Sequence, residues 1–264
     1  MNNTLTPLAC KPALTWPGGK SRLLKHILPN IPKHTCYVEP FAGGLAVMLA
    51  KPRSSIEVIN DLNGDLVTFY RCVRFHTDAL LTELEFVLNS RQEFTDFIKQ
   101  TGLTDLQRAA RWFFRNRNCF RGANLETFGV SPTSSGTGAN SSRAARMEAI
   151  RQLNFRLDRV IIENLDWEKC LSVYDRSETF FFCDPPYTAC DAGMYAAWTV
   201  ADVMSFRERL NRLKGRWIVT LNDAPEIRRI FSDCQITVVE RAQGISQAKK
   251  KVYRELVITP QTAE

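Results

Sequence analysis

The sequence predicts an α/β protein: a mostly parallel sheet with helices on both faces, closed by an antiparallel hairpin and interrupted by a helical insertion. Three observations predict it. Short apolar runs alternate with helical patterns over most of the chain. One of them, Thr179–Cys183 (T-F-F-F-C), is apolar throughout, as a strand covered on both faces must be. From about Phe75 to Asp158 no run reads as a strand, while three helical patterns follow one another.

In chain order, Ser21–Leu28 reads as a helix, Tyr37–Glu39 as a short strand before a turn, and Ile56–Asn60 as a second strand ending at an acid. Leu62–Phe75 reads as a helix. The insertion holds Leu80–Leu88, Arg91–Gln100 and Thr104–Cys119, and then Ser131–Ser142, too rich in Ser, Thr and Gly to pack. Arg159–Asn164, Thr179–Cys183 and Arg216–Leu221 are further strands, and Ala201–Leu213 a helix. Gln235–Glu240 and Val252–Thr259 form the closing hairpin. The chain therefore divides into one unit of residues 1–74 with 159–264, and a second of residues 75–158.

At 264 residues, with 44% hydrophobic and 24% charged side chains, the chain suits a folded protein with a sizeable core and excludes wholesale disorder. No apolar stretch approaches the roughly 18 residues that cross a bilayer. Residues 1–9 lack a basic start followed by an apolar run, so no secretory signal is expected there. The 8 Cys include no C-x-x-C pair and only three His accompany them, so no metal site is expected and the thiols read as core filler in a reducing compartment. The formal charge is +7, and the window Leu106–Met147 contributes seven Arg against one Glu, or +6. A cationic segment of this kind attracts phosphates without reading sequence.

Four motifs carry chemistry. Asp184–Tyr187 (D-P-P-Y) follows the apolar strand directly. Two successive prolines cannot extend a sheet, so they force a rigid turn at the strand's C-terminal edge, where open α/β sheets bind ligands. Asp184 and the Pro185 carbonyl can each accept a hydrogen from an amino group, Pro186 stiffens the corner, and Tyr187 offers a stacking face. The alternative is a plain strand-ending turn with an exposed Asp. Glu39–Val47 (E-P-F-A-G-G-L-A-V) follows the first strand, and Gly43 and Gly44 let backbone approach a ligand closely. It lacks the G-x-G-x-x-G pattern. Asp61, closing the second strand, can accept hydrogen bonds from ribose hydroxyls or simply cap a helix. Trp16–Lys20 (W-P-G-G-K) combines a flat aromatic face, two glycines and a cation; a capped helix start is the plainer reading.

In this order the four motifs resemble the D12 class of DNA adenine-N6 methyltransferases, the Dam-like family. The likeness extends to Trp112–Gly122 (W-F-F-R-N-R-N-C-F-R-G), similar to the family's recognition segment, and to Lys249–Ile258, similar to its closing strand. The resemblance implies a Rossmann-like class I methyltransferase sheet, with residues 1–74 and 159–264 catalytic and residues 75–158 reading the target. It implies S-adenosylmethionine as methyl donor, held by Trp16, Lys20, Asp61 and Asp184. The turn bearing Glu39, Phe41 and Gly43 would run beside the methionine part, and Asp166 near the adenine. Leu45 stands where the family often has a further glycine, which is expected to alter the turn slightly.

An adenine amino group is a poor nucleophile and the sulfonium methyl a strong electrophile, so the task is alignment, worth on the order of 7–11 kcal/mol. Asp184, Pro185, Pro186 and Tyr187 form the expected catalytic corner, with Tyr195 a candidate second wall around a flipped base. Arg115, Arg117, Asn118, Arg121 and Asn124 are the expected readers of double-stranded DNA, and Lys249, Lys250 and Lys251 contact phosphates. A solvated cationic face is the alternative. The resemblance further implies a cytoplasmic, nucleoid-associated enzyme, a monomer in solution with dimerisation on DNA left open, serving restriction–modification or acting as an orphan methylase. The rivals are cytosine-N4 methylation and a DNA-binding module with a dead pocket.

Overall fold

The computed structural model describes residues 10–120, 124–129, 142–188, 196–242 and 252–261. The Ser/Gly-rich residues up to Ser141, together with Tyr195, Arg121, Lys249, Lys250 and Lys251, lie outside the described residues.

The chain begins with α1 (Leu24–Ile27), a single turn flanked by 3₁₀ turns at Lys20–Arg22 and Leu28–Asn30. The expected eight-residue helix is thus split: Ser21 and Arg22 fall in the first 3₁₀ turn and Leu28 opens the second, where Pro29, which lacks an N–H, cannot extend the α-helical hydrogen bonding. Next come β1 (Cys36–Glu39), α2 (Ala46–Ala50), β2 (Ile56–Asn60) and α3 (Gly64–Phe75). Asn63 caps α3 by accepting from the backbone N–H of Asp65 and Leu66. The chain then continues through α4 (Thr77–Glu85), α5 (Arg91–Lys99) and α6 (Asp105–Asn118), the last opened by a Thr104/Gln107 capping box.

A short antiparallel hairpin follows, β3 (Cys119–Phe120) with β4 (Asn124–Phe128), in a stretch expected to hold no strand. With one strand only two residues long, it has no alternation long enough to read. Helix α7 (Arg143–Arg156) leads to β5 (Val160–Glu163), α8 (Trp167–Tyr174) and β6 (Thr179–Cys183). The chain finishes with α9 (Val200–Asn211), β7 (Arg216–Asn222), α10 (Pro225–Ile230), β8 (Cys234–Ala242) and β9 (Val252–Pro260).

Seven strands form one sheet in the order β5-β2-β1-β6-β7-β9-β8. The first five are parallel; β9 runs antiparallel to both β7 and β8, so the closing hairpin reaches the sheet through its second strand. Strand β6 shows why these runs are apolar throughout. Phe180 and Phe182 face a cluster that also holds Tyr37, Phe69, Trp112 and Phe113, while Phe181 and Cys183 face another with Val203, Phe206 and Phe231. Helices α3, α6 and α7 cover the first face, and α8, α9 and α10 the second.

The strand order fixes where a ligand can sit. From β1 the chain winds outward through β2 to β5, then returns to place β6 on the other side of β1. The connections leaving the C-terminal ends of β1 and β6 diverge at that reversal, which opens a crevice there. The glycine turn leaves β1 and D-P-P-Y leaves β6, so the strongest motifs flank the same crevice.

Candidate active site

Asp184, the first residue past β6, takes an ion pair from Lys20 Nζ to Oδ2 at 2.7 Å and a hydrogen bond from Thr220 Oγ1 to Oδ1 at 2.7 Å. Lys20 is buried and also donates to the Gly18 carbonyl at 2.6 Å, so the W-P-G-G-K turn is bolted to the corner. These bonds fix the Asp184 rotamer. Each carboxylate oxygen still has room for a further acceptor contact. The Tyr187 ring lies 5.0 Å from Lys20 Nζ, and its hydroxyl donates to Glu255 Oε2 at 3.3 Å. Asn222 accepts from the Thr188 N–H at 3.3 Å, which ties the segment after the prolines to β7.

On the other side of the crevice, Gly43 adopts φ +45° and its N–H donates to Asp61 Oδ2 at 3.0 Å. Asp61 Oδ1 accepts from the Asn63 N–H at 2.9 Å, and the Tyr70 hydroxyl donates to the Gly43 carbonyl. Asp61 therefore supports the glycine turn as well as lining the cavity, a role beyond the ribose contact or helix cap expected of it. Asn60 completes the frame: its amide donates to the Pro40 and Leu165 carbonyls at 2.9 and 3.0 Å and accepts from the Leu165 N–H at 2.7 Å. Leu45 sits at φ 59° as the residue entering α2, in the left-handed region that a glycine would occupy without strain, with its side chain buried.

Gly43 has no room for a side chain. A Cβ there would lie 2.7 Å from Trp16 Nε1, and Trp16 itself packs on Trp112 with ring centroids 6.2 Å apart. Gly43→Ala is therefore expected to cost about 1–2 kcal/mol for the left-handed backbone and about 1–3 kcal/mol for overpacking. Urea unfolding measures the sum; an unchanged midpoint would mean the Trp16 indole moves aside freely.

Glu39 is buried, and its Oε1 accepts from Tyr37 Oη at 2.6 Å and the Met48 N–H at 2.8 Å. Burial pushes its carboxyl up to about 7, against the opposing pull of those two hydrogen bonds. Two adjoining cavities, of about 170 and about 610 Å³, share Trp16, Lys20, Phe41, Gly43 and Asp184. The smaller adds Asp61, Pro185, Pro186 and Tyr187; the larger adds Glu39.

Two aromatic residues in the smaller cavity were not singled out from the sequence. Trp167 and Trp198 lie 5.8 Å apart, and Trp198 meets Phe41 edge-on at 5.6 Å. They are far apart in the chain and belong to no motif. Asp166 is an exposed cap that accepts from the Glu168 N–H at 2.8 Å; the cavity wall is formed by its neighbour Trp167 instead. Among the described residues no group of His, Cys, Asp and Glu is arranged to hold a metal, and no helix is long and apolar enough to cross a membrane.

The expected DNA readers need correction. Asn118 is fully buried; its amide donates to the Phe114 carbonyl at 2.9 Å and accepts from Arg146 Nη2 at 3.0 Å. Arg115 spends Nε and Nη2 on the Leu125 carbonyl, at 3.1 and 3.0 Å. Arg117 Nη1 reaches the Ala13 carbonyl at 3.3 Å and Thr15 Oγ1 at 3.2 Å, and burial lowers its pKa. Asn116, beside them, pairs with both backbone groups of Thr15. The exposed end of α6 that the sequence suggested is thus a clamp on β4 and on the segment leading to Trp16. Asn124 opens β4.

A model of the D12 class N6 adenine-specific DNA methyltransferase family matches residues 16–245. The type II methyltransferase M.MjaIII of Methanocaldococcus jannaschii is 31% identical over 201 residues, 67% of this chain and 69% of that protein. The retron Ec67 DNA adenine methylase of Escherichia coli is 23% identical over 265 residues, covering 92% and 89%. The type II methyltransferase M1.LlaDCHI of Lactococcus lactis subsp. cremoris is 25% identical over 286 residues, covering 94% and 95%.

Proposed function

The chain belongs to the D12 class of N6 adenine-specific DNA methyltransferases, and from that premise we propose that it moves the methyl group of S-adenosylmethionine to an adenine swung out of duplex DNA. The observation that carries the reading is the convergence on one cavity of Asp184, Lys20 and Asp61 with the proline corner and four further aromatic residues, Trp16, Phe41, Trp167 and Trp198.

The residues fit that donor. Asp61 suits ribose hydroxyls, the aromatic faces an adenine, and Glu39 and Lys20 the charged ends of an amino acid. When bound, the donor supplies an electrophilic methyl carried on a sulfonium. Everything else falls to the protein. Asp184 and the Pro185 carbonyl accept the two hydrogens of the adenine amino group and favour positive charge developing on that nitrogen, as oriented dipoles do at no cost in reorganisation. The departing proton passes by way of Asp184 to water. Extrusion of the base costs a few kcal/mol, of which stacking on Tyr187 returns about 1–3 kcal/mol. The helical segment of residues 75–158 presents the target sequence, through Arg121 and Asn124 rather than through the clamping side chains of α6.

Calorimetry with S-adenosylmethionine, followed by transfer of labelled methyl to duplex DNA, tests the reading. Binding with transfer is expected; DNA binding with neither would mark a dead pocket.

Glu39 adds a pH dependence. Its folded-state carboxyl holds a proton that the unfolded chain has already released above the ordinary carboxylate range. Stability of the free protein therefore falls as pH rises from that range to about 7, and levels off above. An ammonium group on the donor needs Glu39 ionised, so donor affinity should run the opposite way, rising about tenfold between pH 6 and 8. Calorimetry across that range checks it, and Glu39→Gln should flatten the profile. An equally steep profile in that variant would assign the titration elsewhere.

A further inference from the structure

The arginines that made residues 106–147 look like the polyanion surface are largely occupied. Arg108 pairs with Asp65 at 3.0 Å, Arg111 donates to the Gln100 carbonyl at 2.7 Å, Arg143 to the Glu85 carbonyl at 3.1 Å, and Arg115, Arg117 and Arg146 are bound as described above. Their charge remains, but each gives at least one donor to the fold, which fixes the direction of its side chain. A duplex carries one negative charge per roughly 1.7 Å of axis, so cations free to meet it must be sought elsewhere.

The chain before Glu39 contains Lys11, Lys20, Arg22, Lys25 and Lys33 and no Asp or Glu. Lys20 is buried beside Asp184 within the site already described. Arg22 and Lys25 are exposed and have no ion pair or hydrogen bond among the described residues. Arg22 stands on the rim of the larger cavity, whose wall includes Asp184, and it also belongs to a neighbouring groove of about 450 Å³. That groove runs between α1 and β8 and is lined by Lys25, His26, Val238, Val239 and Glu240. Its one acid, Glu240, is held by Arg254 at 3.0 Å. A nucleotide extruded toward Asp184 stays joined to its neighbours through phosphates, and those must cross the rim of the cleft.

We propose that Arg22 and Lys25, with His26 between the same walls, form a track for the phosphodiester backbone of the strand from which the adenine is extruded. The proposal rests on the DNA-methylating reading and adds a contact surface to it. Such contacts position the duplex and carry no sequence information.

The test is fluorescence anisotropy of a labelled duplex with wild type, Arg22→Gln, Lys25→Gln and the double variant between 50 and 200 mM salt. The slope of log affinity against log salt should fall by about 0.9 for each single variant and about 1.8 for the double. It should fall equally on duplexes of unrelated sequence, and Lys25→Arg should restore it. Slopes unchanged in the variants, with wild-type binding intact, overturn this proposal alone. An unchanged slope with weakened S-adenosylmethionine binding in Arg22→Gln overturns it too, placing that side chain with the donor. Wild type that shows no salt-dependent binding overturns this proposal and the DNA-methylating reading together.

Discussion

Asp184→Asn is expected to lower single-turnover methyl transfer by about 10²–10³-fold, the loss typical of removing one preorganised electrostatic partner from a reacting centre. The substitution keeps the shape of the side chain and an oxygen for Thr220 or Lys20, both 2.7 Å away in the wild type. It removes the charge that stabilises a developing positive nitrogen and turns an NH₂ group toward another NH₂ group. Asparagine is the cleaner test, because it keeps a side-chain oxygen that can accept from buried Lys20 or from Thr220, whereas Asp184→Ala would leave the ammonium with neither counter-charge nor acceptor there, a defect that typically costs about 3–5 kcal/mol by itself. Rapid-quench measurement at saturating donor and DNA isolates the chemical step. Near wild-type rates in the asparagine variant would remove Asp184 from the mechanism.

Glu57→Ala is expected to destabilise the fold by about 3–5 kcal/mol, since it strands two buried cations at once. Glu57 accepts from Lys51 Nζ at 2.7 Å and from Arg156 Nη2 at 2.8 Å, and all three residues are buried. Burial alone would push the Glu57 carboxyl up, but the Arg156 hydrogen bonds and the Lys51 charge outweigh it and leave the pKa below the ordinary range. A depressed carboxyl stabilises the fold above the unfolded-state value, and that contribution is lost as pH falls through the folded one, so this network sensitises the protein to acid. It also bears on the site. Arg156 Nη2 donates to the Met48 carbonyl at 2.8 Å while Glu39 holds the Met48 N–H, so α2 is gripped on both sides just past the glycine turn. Urea unfolding measures the effect. Removing Arg156 as well, by Arg156→Met in the Glu57→Ala background, should restore part of the loss; no restoration would mean that the two residues do not act as a pair.

Which parts of this were legible in the sequence follows from which physical signals are local. The parallel strands were, because burial on both faces demands continuous apolar runs, and β6 falls on the residues expected of it. The glycine turn and D-P-P-Y were legible because Gly43 and the two prolines have backbone consequences that do not depend on neighbours. Their meeting at one crevice follows from strand order, which the motif sequence already implied. The direction a polar side chain takes was not legible. Arg115, Arg117 and Asn118 have the residue types of DNA readers, but whether they face solvent or clamp β4 and Thr15 is decided by packing of α6 on α3. Arg156 was hidden for the same reason: it continues the buried Met147, Ile150, Leu153 spacing of α7, where a charge signals nothing until Glu57 is seen opposite. Trp167 and Trp198 meet only through the fold, and β3 is too short to announce itself. At Leu45 the expected modest change in the turn takes the form of a non-glycine residue held at positive φ.

The account stands on a proline corner that grips the exocyclic nitrogen of an extruded adenine beside a methyl donor. Mass spectrometry of nucleosides from DNA of a methylation-free cell expressing the chain tests this most directly. The account predicts N6-methyladenine with the wild type and its loss with Asp184→Asn. N4-methylcytosine in its place, or N6-methyladenine undiminished in the variant, would contradict it.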